Sequence, residues 1–419
     1  MSLSRPHDAV AYAWPADGDH DQDPDWEGTL RIGCLWPMSG RAARYGQDAI
    51  IGADMAAEEV NQAGGVLGRE IRLYFSDDRS DPTYAVRLAQ RYIDHDRVHF
   101  LTGIVSSAVA LAVTRVAYER KVVFVGADHA SSRLTLDDFH PYYFRVTNNT
   151  MQSMRAGALY LADKPIRTWA FIGPDYEYGH RQFAEFRTYF SQLRPDTRLV
   201  GALWPKLYAP TYREYLEQLQ AWRPDVVIHG FWGGDSVAFV RELVKTRILE
   251  TTEMMSFDAG GNFDVFEGLG PEMPTGLVLG ARHHNNFPDT PANRAFVQRF
   301  FERAHRYPSY TAHGAYVGIH FIAAVVNYVG SLDPDDFRQG AEGFVLETPR
   351  DLPGRPSVMR AIDHQMVQDI YLGKTGPQAG FAPARVMITD WTVIPAEKVL
   401  PTPDEVENRR RAGTLRAEG

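Results

Sequence analysis

Short apolar runs alternate with helical patterns from residue 30 onward. The run from Leu30 to Trp36 predicts a strand, and a helical pattern from Tyr45 to Gln62 follows it. Further strands are predicted at 71–76, 98–101 and 122–125, with helices at 82–94 and 108–120. Strands that are separated by helices at this spacing are typical of βαβ units and a parallel sheet.

The same rhythm restarts after Arg145. Strands are predicted at 169–172, 199–204, 226–229 and 254–257, and helices at 151–162, 181–193, 212–221 and 236–245. A strand at 277–279, helices at 293–305 and 312–329, and strands at 357–360, 366–371 and 385–388 complete the pattern. The polar stretch from 401 onward is expected to be loose. We therefore expect an α/β protein with two doubly wound lobes and a cleft between them.

The loops after the predicted strands are the expected ligand positions, because ligands of open α/β sheets bind beyond the carboxyl ends of the strands. Ser106 and Ser107 open a helix after one such strand. They have two interpretations, which are compatible. One is an N-cap, and the other is an anion site in which a hydroxyl and free backbone N–H groups hold a carboxylate.

Aromatic residues recur in these loops, in both halves of the chain. They are Tyr45, Tyr178, Phe231 and Trp232. Their place in glycine-rich loops favours the wall of a ligand pocket, and the alternative is ordinary core packing.

Two polar loop residues carry a similar ambiguity. Asp258 follows a strand and either caps the next turn or contacts a ligand, and His129 is either a satisfied loop histidine or a ligand contact. No motif for nucleotide, serine-hydrolase or zinc-protease chemistry is present, and no metal or cofactor site is predicted. The sequence does not predict an enzyme.

Composition narrows the classes further. The chain has 419 residues with 44 Lys and Arg against 53 Asp and Glu, a net charge of −9, which argues against a nucleic-acid partner. No apolar run approaches the roughly 18 residues of a membrane span. The single cysteine, Cys34, lies in an apolar run and is expected to be a small buried side chain.

Several segments, in this order, resemble the type I periplasmic solute-binding proteins of ABC transporters, specifically the Leu/Ile/Val-binding (branched-chain amino acid) family. The segments are Pro37-Met38-Ser39-Gly40, Tyr45-Gly46, the run 58–69 with Asn61, Gly64-Gly65 and Gly68-Arg69, Asp77-Asp78, Ser106-Ser107, Phe144-Arg145, Tyr178-Gly179 and Asp363-His364-Gln365. The resemblance covers about residues 30–395, nearly the whole chain outside its two ends.

The resemblance implies two Rossmann-like lobes, with parallel-core sheets, that a three-segment hinge joins and that close on a ligand. Lobe 1 is expected to comprise 28–147 and 278–345, and lobe 2 to comprise 148–277 and 346–395. Residues 1–27 are expected to be a polar N-terminal extension, and 396–419 a C-terminal tail. Residues 1–27 contain no signal peptide, and we hypothesise that a native targeting segment is missing from this sequence.

The resemblance also assigns site residues. It matches Ser107 to the carboxylate-binding serine, and His129 and Ala130 or Ser131 to its neighbouring contacts. It matches Tyr45 to the aromatic residue that covers the ligand, Tyr178 and Trp232 to aromatic contacts on the second lobe, and Asp258 to the acceptor of the ligand ammonium.

The expected function is extracytoplasmic capture of a small carboxylate for the membrane permease of an ABC importer. An amino acid is favoured, because its ammonium would pair with Asp258. The alternatives are an aromatic carboxylate, favoured by the bulk of Trp36 and Trp232, and a cytoplasmic sensor of amides or amino acids on the same fold.

Overall fold

A computed structural model describes residues 28–414. The predicted N-terminal extension, residues 1–27, and the last five residues of the predicted tail lie outside this range. The first sheet has five parallel strands in the order β2-β1-β3-β4-β5. They are β1 (Thr29–Trp36), β2 (Glu70–Asp77), β3 (Phe100–Gly103), β4 (Val123–Gly126) and β5 (Tyr143–Arg145).

Three helices connect these strands: α1 (Ala43–Gln62), α2 (Pro82–Asp94) and α3 (Ser107–Arg120). The start of α2 is set by Asp81, whose carboxylate accepts a hydrogen bond from the Tyr84 backbone N–H, and by Pro82 in the first turn. Strands β3 and β4 are fully buried because helices cover both faces of the sheet. Cys34 is buried in β1, as expected.

The second sheet has seven strands in the order β15-β14-β10-β9-β8-β6-β7. Its first part comprises α4 (Thr150–Leu161), β6 (Thr168–Ile172), α5 (Glu177–Leu193), β7 (Arg198–Leu203), α6 (Arg213–Trp222), β8 (Val226–His229), α7 (Gly233–Leu243), β9 (Glu253–Ser256), α8 (Phe263–Leu269) and β10 (Val278–Gly280). Strands β14 (Ile370–Pro377) and β15 (Val386–Ile394) add an antiparallel edge.

Between β10 and β14 the chain returns to the first sheet. This part comprises α9 (Pro291–Ala304), α10 (Tyr310–Val329), α11 (Pro334–Ala341) and a small sheet of β11 (Val345–Leu346), β12 (Ser357–Met359) and β13 (Met366–Val367). Helix α10 packs tightly on α1, where a Cβ on Gly52 would lie 2.1 Å from the Ala312 carbonyl oxygen. It is long and apolar enough to cross a membrane, but 72% of that stretch is buried inside the protein, as in a core helix.

The described residues form two α/β lobes, which confirms the predicted fold class. One predicted boundary differs. Strand β10 pairs with β9 and β14 in the second sheet, so the crossover to lobe 1 follows Gly280 instead of beginning at residue 278. The short run at 277–279 gave no sign of which sheet it would join.

The end of the chain also differs from the expected loose tail. Helix α12 (Pro403–Thr414) contacts residues of both lobes. Val406 is buried with Leu136 and Met151, and Arg409 pairs with Asp137 and Glu185. The polar side chains of this segment form ion pairs that hold much of it in place.

The first and third crossovers meet at Arg350, which is fully buried. Its guanidinium donates to Asn148 Oδ1 at 3.1 Å, to Gln368 Oε1 at 3.1 Å and to the Asp369 carbonyl at 2.6 Å. Asn148 belongs to the first crossover, and Arg350 and Gln368 to the third. This hydrogen-bonded cluster therefore ties these two segments of the hinge together.

Candidate ligand-binding cleft

The two lobes are closed against each other. Ser131 Oγ of lobe 1 donates to Glu177 Oε1 of lobe 2 at 2.8 Å. On the opposite rim, Arg41 donates to the Tyr208 carbonyl at 3.0 Å. Both contacts join a residue of one lobe to a residue of the other. They form only when the carboxyl ends of the two sheets face each other across a closed cleft.

A small cavity, partly open to solvent, lies between the lobes. Its lining comes from lobe 1, lobe 2 and the hinge together. The lining residues are Val105, Ala130, Tyr176, Tyr178, Trp232, Arg282 and Tyr310. Aromatic rings make up most of this wall, and Arg282 brings a positive charge to it.

The aromatic wall is braced by further contacts. Trp232 Nε1 donates to the Tyr176 hydroxyl at 3.0 Å. Tyr45 stacks on Trp232 and on Tyr310, with ring centroids 5.5 and 5.4 Å apart. Of the aromatic residues predicted from the sequence, Tyr178 and Trp232 line the cavity and Tyr45 supports it from behind.

Phe231 takes the alternative that the sequence left open. Its ring is fully buried and packs on Tyr212 and Phe239, with centroids 5.0 and 4.8 Å apart, and it does not line the cavity. The next residue, Trp232, faces the other lobe instead and stacks on Tyr45.

The two serines at the start of α3 have different surroundings. Ser106 occupies the N-cap position, although its hydroxyl makes no capping hydrogen bond. The buried Ser107 hydroxyl accepts a hydrogen bond from the Ser131 backbone N–H at 3.1 Å. This bond joins the α3 start to the loop that carries Ala130, which lines the cavity.

His129 lies behind that loop, in the core of lobe 1. Its Nδ1 donates to the Ile104 carbonyl at 2.9 Å, and its Nε2 accepts from the Tyr143 hydroxyl at 2.7 Å. Burial lowers the pKa of His129 well below its ordinary value, with a further contribution from Arg145. The imidazole is therefore neutral, has both nitrogens satisfied and does not line the cavity.

Asp258 is fully buried and surrounded by donors. Its Oδ2 accepts from Arg282 Nη2 and from the Tyr178 hydroxyl, both at 2.6 Å. Its Oδ1 accepts from Ser153 Oγ at 2.7 Å and from Asn148 Nδ2 at 3.3 Å. The carboxylate thus has an internal cation as its partner.

Arg282 links the two lobes. It follows β10, and besides Asp258 it donates to the Asp128 carbonyl at 2.5 Å and to Asp128 Oδ1 at 3.1 Å. Its guanidinium lies 4.7 Å from the centre of the Tyr310 ring. Burial opposes the charge, but Asp258 and its neighbours keep the pKa of Arg282 well above its ordinary value. Burial raises the pKa of Asp128 to about 7, against the opposing effect of Arg282.

Sequence reasoning missed Arg282, Tyr176 and Tyr310. A usable signal existed for Arg282, because a charged residue directly after an apolar strand is the same feature that selected Asp258. Among residues 28–414, no group of three or more His, Cys, Asp or Glu side chains is arranged to hold a metal ion.

A family model described as periplasmic binding protein matches residues 29–380. The chain belongs to this family. It is 22% identical over 323 residues to the leucine-, isoleucine-, valine-, threonine- and alanine-binding protein of Pseudomonas aeruginosa, covering 77% of this chain and 84% of that protein.

Solved structures agree in fold. A periplasmic binding protein from Burkholderia mallei superposes with a TM-score of 0.82 at 22% identity, covering 90% of this chain and 98% of the other. A solute-binding protein of an ABC transporter from Rhodopseudomonas palustris, in complex with 3,4-dihydroxybenzoic acid, gives a TM-score of 0.78 at 23% identity over 88% and 98% of the two chains.

Membership confirms the resemblance seen in the sequence. Members of this family are substrate-binding proteins of ABC transporters and not enzymes, and the family implies an extracytoplasmic location. The chain is therefore a periplasmic binding protein that serves an ABC transporter by binding a small molecule.

Proposed function

We propose that this protein captures a small carboxylate in the cleft and presents it, in the closed form, to the membrane permease of an ABC importer. The observation that carries the proposal is the cavity that aromatic rings from both lobes enclose beside the Ser107–Ser131 loop contact. Closure of both lobes on one ligand raises the affinity of a binding site of this shape.

The carboxylate end of the ligand is expected at the start of α3. Backbone N–H groups in the first turn of a helix have no partner within the helix and favour an anion. The Ser107 hydroxyl accepts one hydrogen bond and keeps its proton for donation to a ligand oxygen. Ala130, which lines the cavity, is expected on the opposite side of this subsite, and Ser106 begins the helix. The N–H and hydroxyl of Ser131 are already donated to Ser107 and Glu177.

The rest of the ligand is expected to be flat and apolar. Tyr176, Tyr178, Trp232 and Tyr310 surround the remaining space, and their rings favour stacking and edge contacts with a planar group. Amino acids and aromatic carboxylates both have the carboxylate that is expected at the start of α3. The ligands named for its relatives include both classes. The Pseudomonas protein is an amino-acid-binding protein, and the Rhodopseudomonas complex holds a dihydroxybenzoate.

A thermal-shift panel tests the proposal. Purified protein is heated with aliphatic and aromatic amino acids, benzoates, phenylalkanoates and, as ligands without a carboxylate, the corresponding amides. A ligand at about 100 times its Kd adds about 2.7 kcal/mol to the free energy of unfolding and raises Tm measurably. We expect at least one carboxylate to do so, and its amide not to.

Ser107→Ala is the matched variant, and it should reduce the ligand-dependent rise in Tm. Ser191→Ala is the control, because Ser191 is exposed near the end of α5 and its hydroxyl donates to the Thr188 carbonyl of the same helix. A panel in which no carboxylate raises Tm, or in which Ser107→Ala responds like wild type, would reject the proposal.

A further inference from the structure

We infer that Arg282 takes the place of the ligand ammonium in this cleft and makes the protein selective for carboxylates that carry no α-amino group. The inference rests on the proposed function and narrows its ligand class. It assigns Arg282 as a specificity-determining residue, a role that the sequence pattern had given to Asp258.

The first step is the occupancy of Asp258. Its two oxygens accept four hydrogen bonds, from Arg282, Tyr178, Ser153 and Asn148. A carboxylate has about four lone-pair positions, so an incoming ammonium would have to displace one of these donors. The Arg282 contact, at 2.6 Å and 3% exposure of the side chain, already supplies the positive charge that an amino acid would bring.

The second step is repulsion. An ammonium near Asp258 would also lie close to the Arg282 guanidinium, which lines the cavity. Like charges in a site that excludes water repel strongly, because the surrounding dielectric screens them poorly. The Arg282 Nε is buried and has no hydrogen-bond partner among the described residues.

The third step concerns closure. In an amino-acid binder the charges of the ligand would join the lobes. Here Arg282 joins Asp128, after β4 of lobe 1, to Asp258, after β9 of lobe 2. The protein thus provides the cross-lobe ion pairs itself, and the ligand need only contribute a carboxylate and an apolar body.

Matched ligand pairs test this directly. Three pairs are used: phenylglycine and phenylacetate, phenylalanine and 3-phenylpropanoate, and leucine and 4-methylpentanoate. The two members of each pair differ only in the α-ammonium. Isothermal titration calorimetry of the wild-type protein gives a Kd for each. We expect the member without the amine to bind at least about tenfold more tightly, or roughly 1.4 kcal/mol, in the pair that fits best.

Arg282→Gln is the informative variant. It leaves Asp258 with three donors and no cation, so the preference should shift toward the amino acid by about tenfold or more. Arg282→Lys keeps a cation and should keep the wild-type preference. Arg247→Gln is the surface control, because Arg247 is exposed and pairs with Glu250 on the surface.

The outcomes separate the two proposals. If no member of any pair binds to the wild-type protein, the proposed function fails. If an amino acid binds as tightly as its partner without the amine, the inference about Arg282 fails while the proposed function stands. Arg282→Gln that folds and keeps the wild-type preference also overturns the inference. If Arg282→Gln does not fold, the comparison of pairs on wild type still decides.

Discussion

The ring of Tyr45 in lobe 1 stacks on the ring of Trp232 in lobe 2, with centroids 5.5 Å apart and planes inclined by 29°. Tyr45 follows β1 and Trp232 follows β8, so this pair forms only when the cleft is closed. Stacked rings contribute about 0.5–1.5 kcal/mol beyond their burial. The pair therefore helps set the balance between the open and closed forms.

Trp232→Ala should weaken ligand binding, because it removes both a wall of the cavity and the stack that favours closure. We expect a loss of about 2 kcal/mol, or roughly thirtyfold in Kd, by isothermal titration calorimetry. Trp222→Ala is the matched control. Trp222 packs over Gly201 within lobe 2, away from the cleft, and its loss should lower Tm but leave Kd within about twofold. Equal effects of the two variants on Kd would contradict this account of the stack.

Arg350→Met should destabilise the hinge. The substitution keeps an apolar stem but leaves Asn148, Gln368 and the Asp369 carbonyl without their donor. Unsatisfied buried polar groups cost about 1–3 kcal/mol each, so the free energy of unfolding should fall by about 3 kcal/mol or more. Urea denaturation followed by circular dichroism measures it. An unfolding curve that matches the wild-type curve would show that the Arg350 cluster does not hold the crossovers.

Asp78→Asn should change the pH dependence of stability. Burial raises the pKa of Asp78 to about 7, although the Ser80 backbone N–H opposes the shift. In the unfolded chain an aspartate ionises near pH 4. The stability linked to this proton is fully present below about pH 4 and is lost as pH rises through about 7.

Asparagine keeps the shape of Asp78 and does not ionise. The Tm of Asp78→Asn relative to wild type should therefore rise by several degrees between pH 5 and pH 8. Asp390→Asn, at an exposed strand position, is the control for the substitution itself. A constant difference in Tm between Asp78→Asn and wild type over this range would mean that Asp78 ionises in the native protein as it does in the unfolded chain.

Much of the fold was predictable because it rests on local pattern. Helix α2 begins and ends where the sequence predicts, since Asp81, Pro82 and the apolar spacing all act within one helix. Helix α11 and the ordered α12 were missed. Arg409 and Val406 of α12 gain their partners from Asp137 and Leu136, more than 260 residues away along the chain, and no local pattern carries that information.

The site was predictable in part. The rule that ligands bind after strands selected the loops of Ala130, Tyr178 and Trp232, which line one cleft, and that of Ser107, which is bonded to the Ala130 loop. The rule does not say which way a side chain in a loop points, so it could not separate Trp232 from Phe231 or Ala130 from His129. The predicted role of Asp258, to accept the ligand ammonium, depended on which cation pairs with its carboxylate. That partner, Arg282, comes from a crossover whose path only the tertiary fold determines.

Titration calorimetry of the wild-type protein, with the carboxylate that raises Tm most, tests the central claim most directly. We predict saturable binding of one ligand per chain, a negative heat-capacity change from burial of its apolar body, and loss of most of the affinity in Ser107→Ala. Absence of saturable binding by every carboxylate of the panel, or affinity unchanged in Ser107→Ala, would contradict the account.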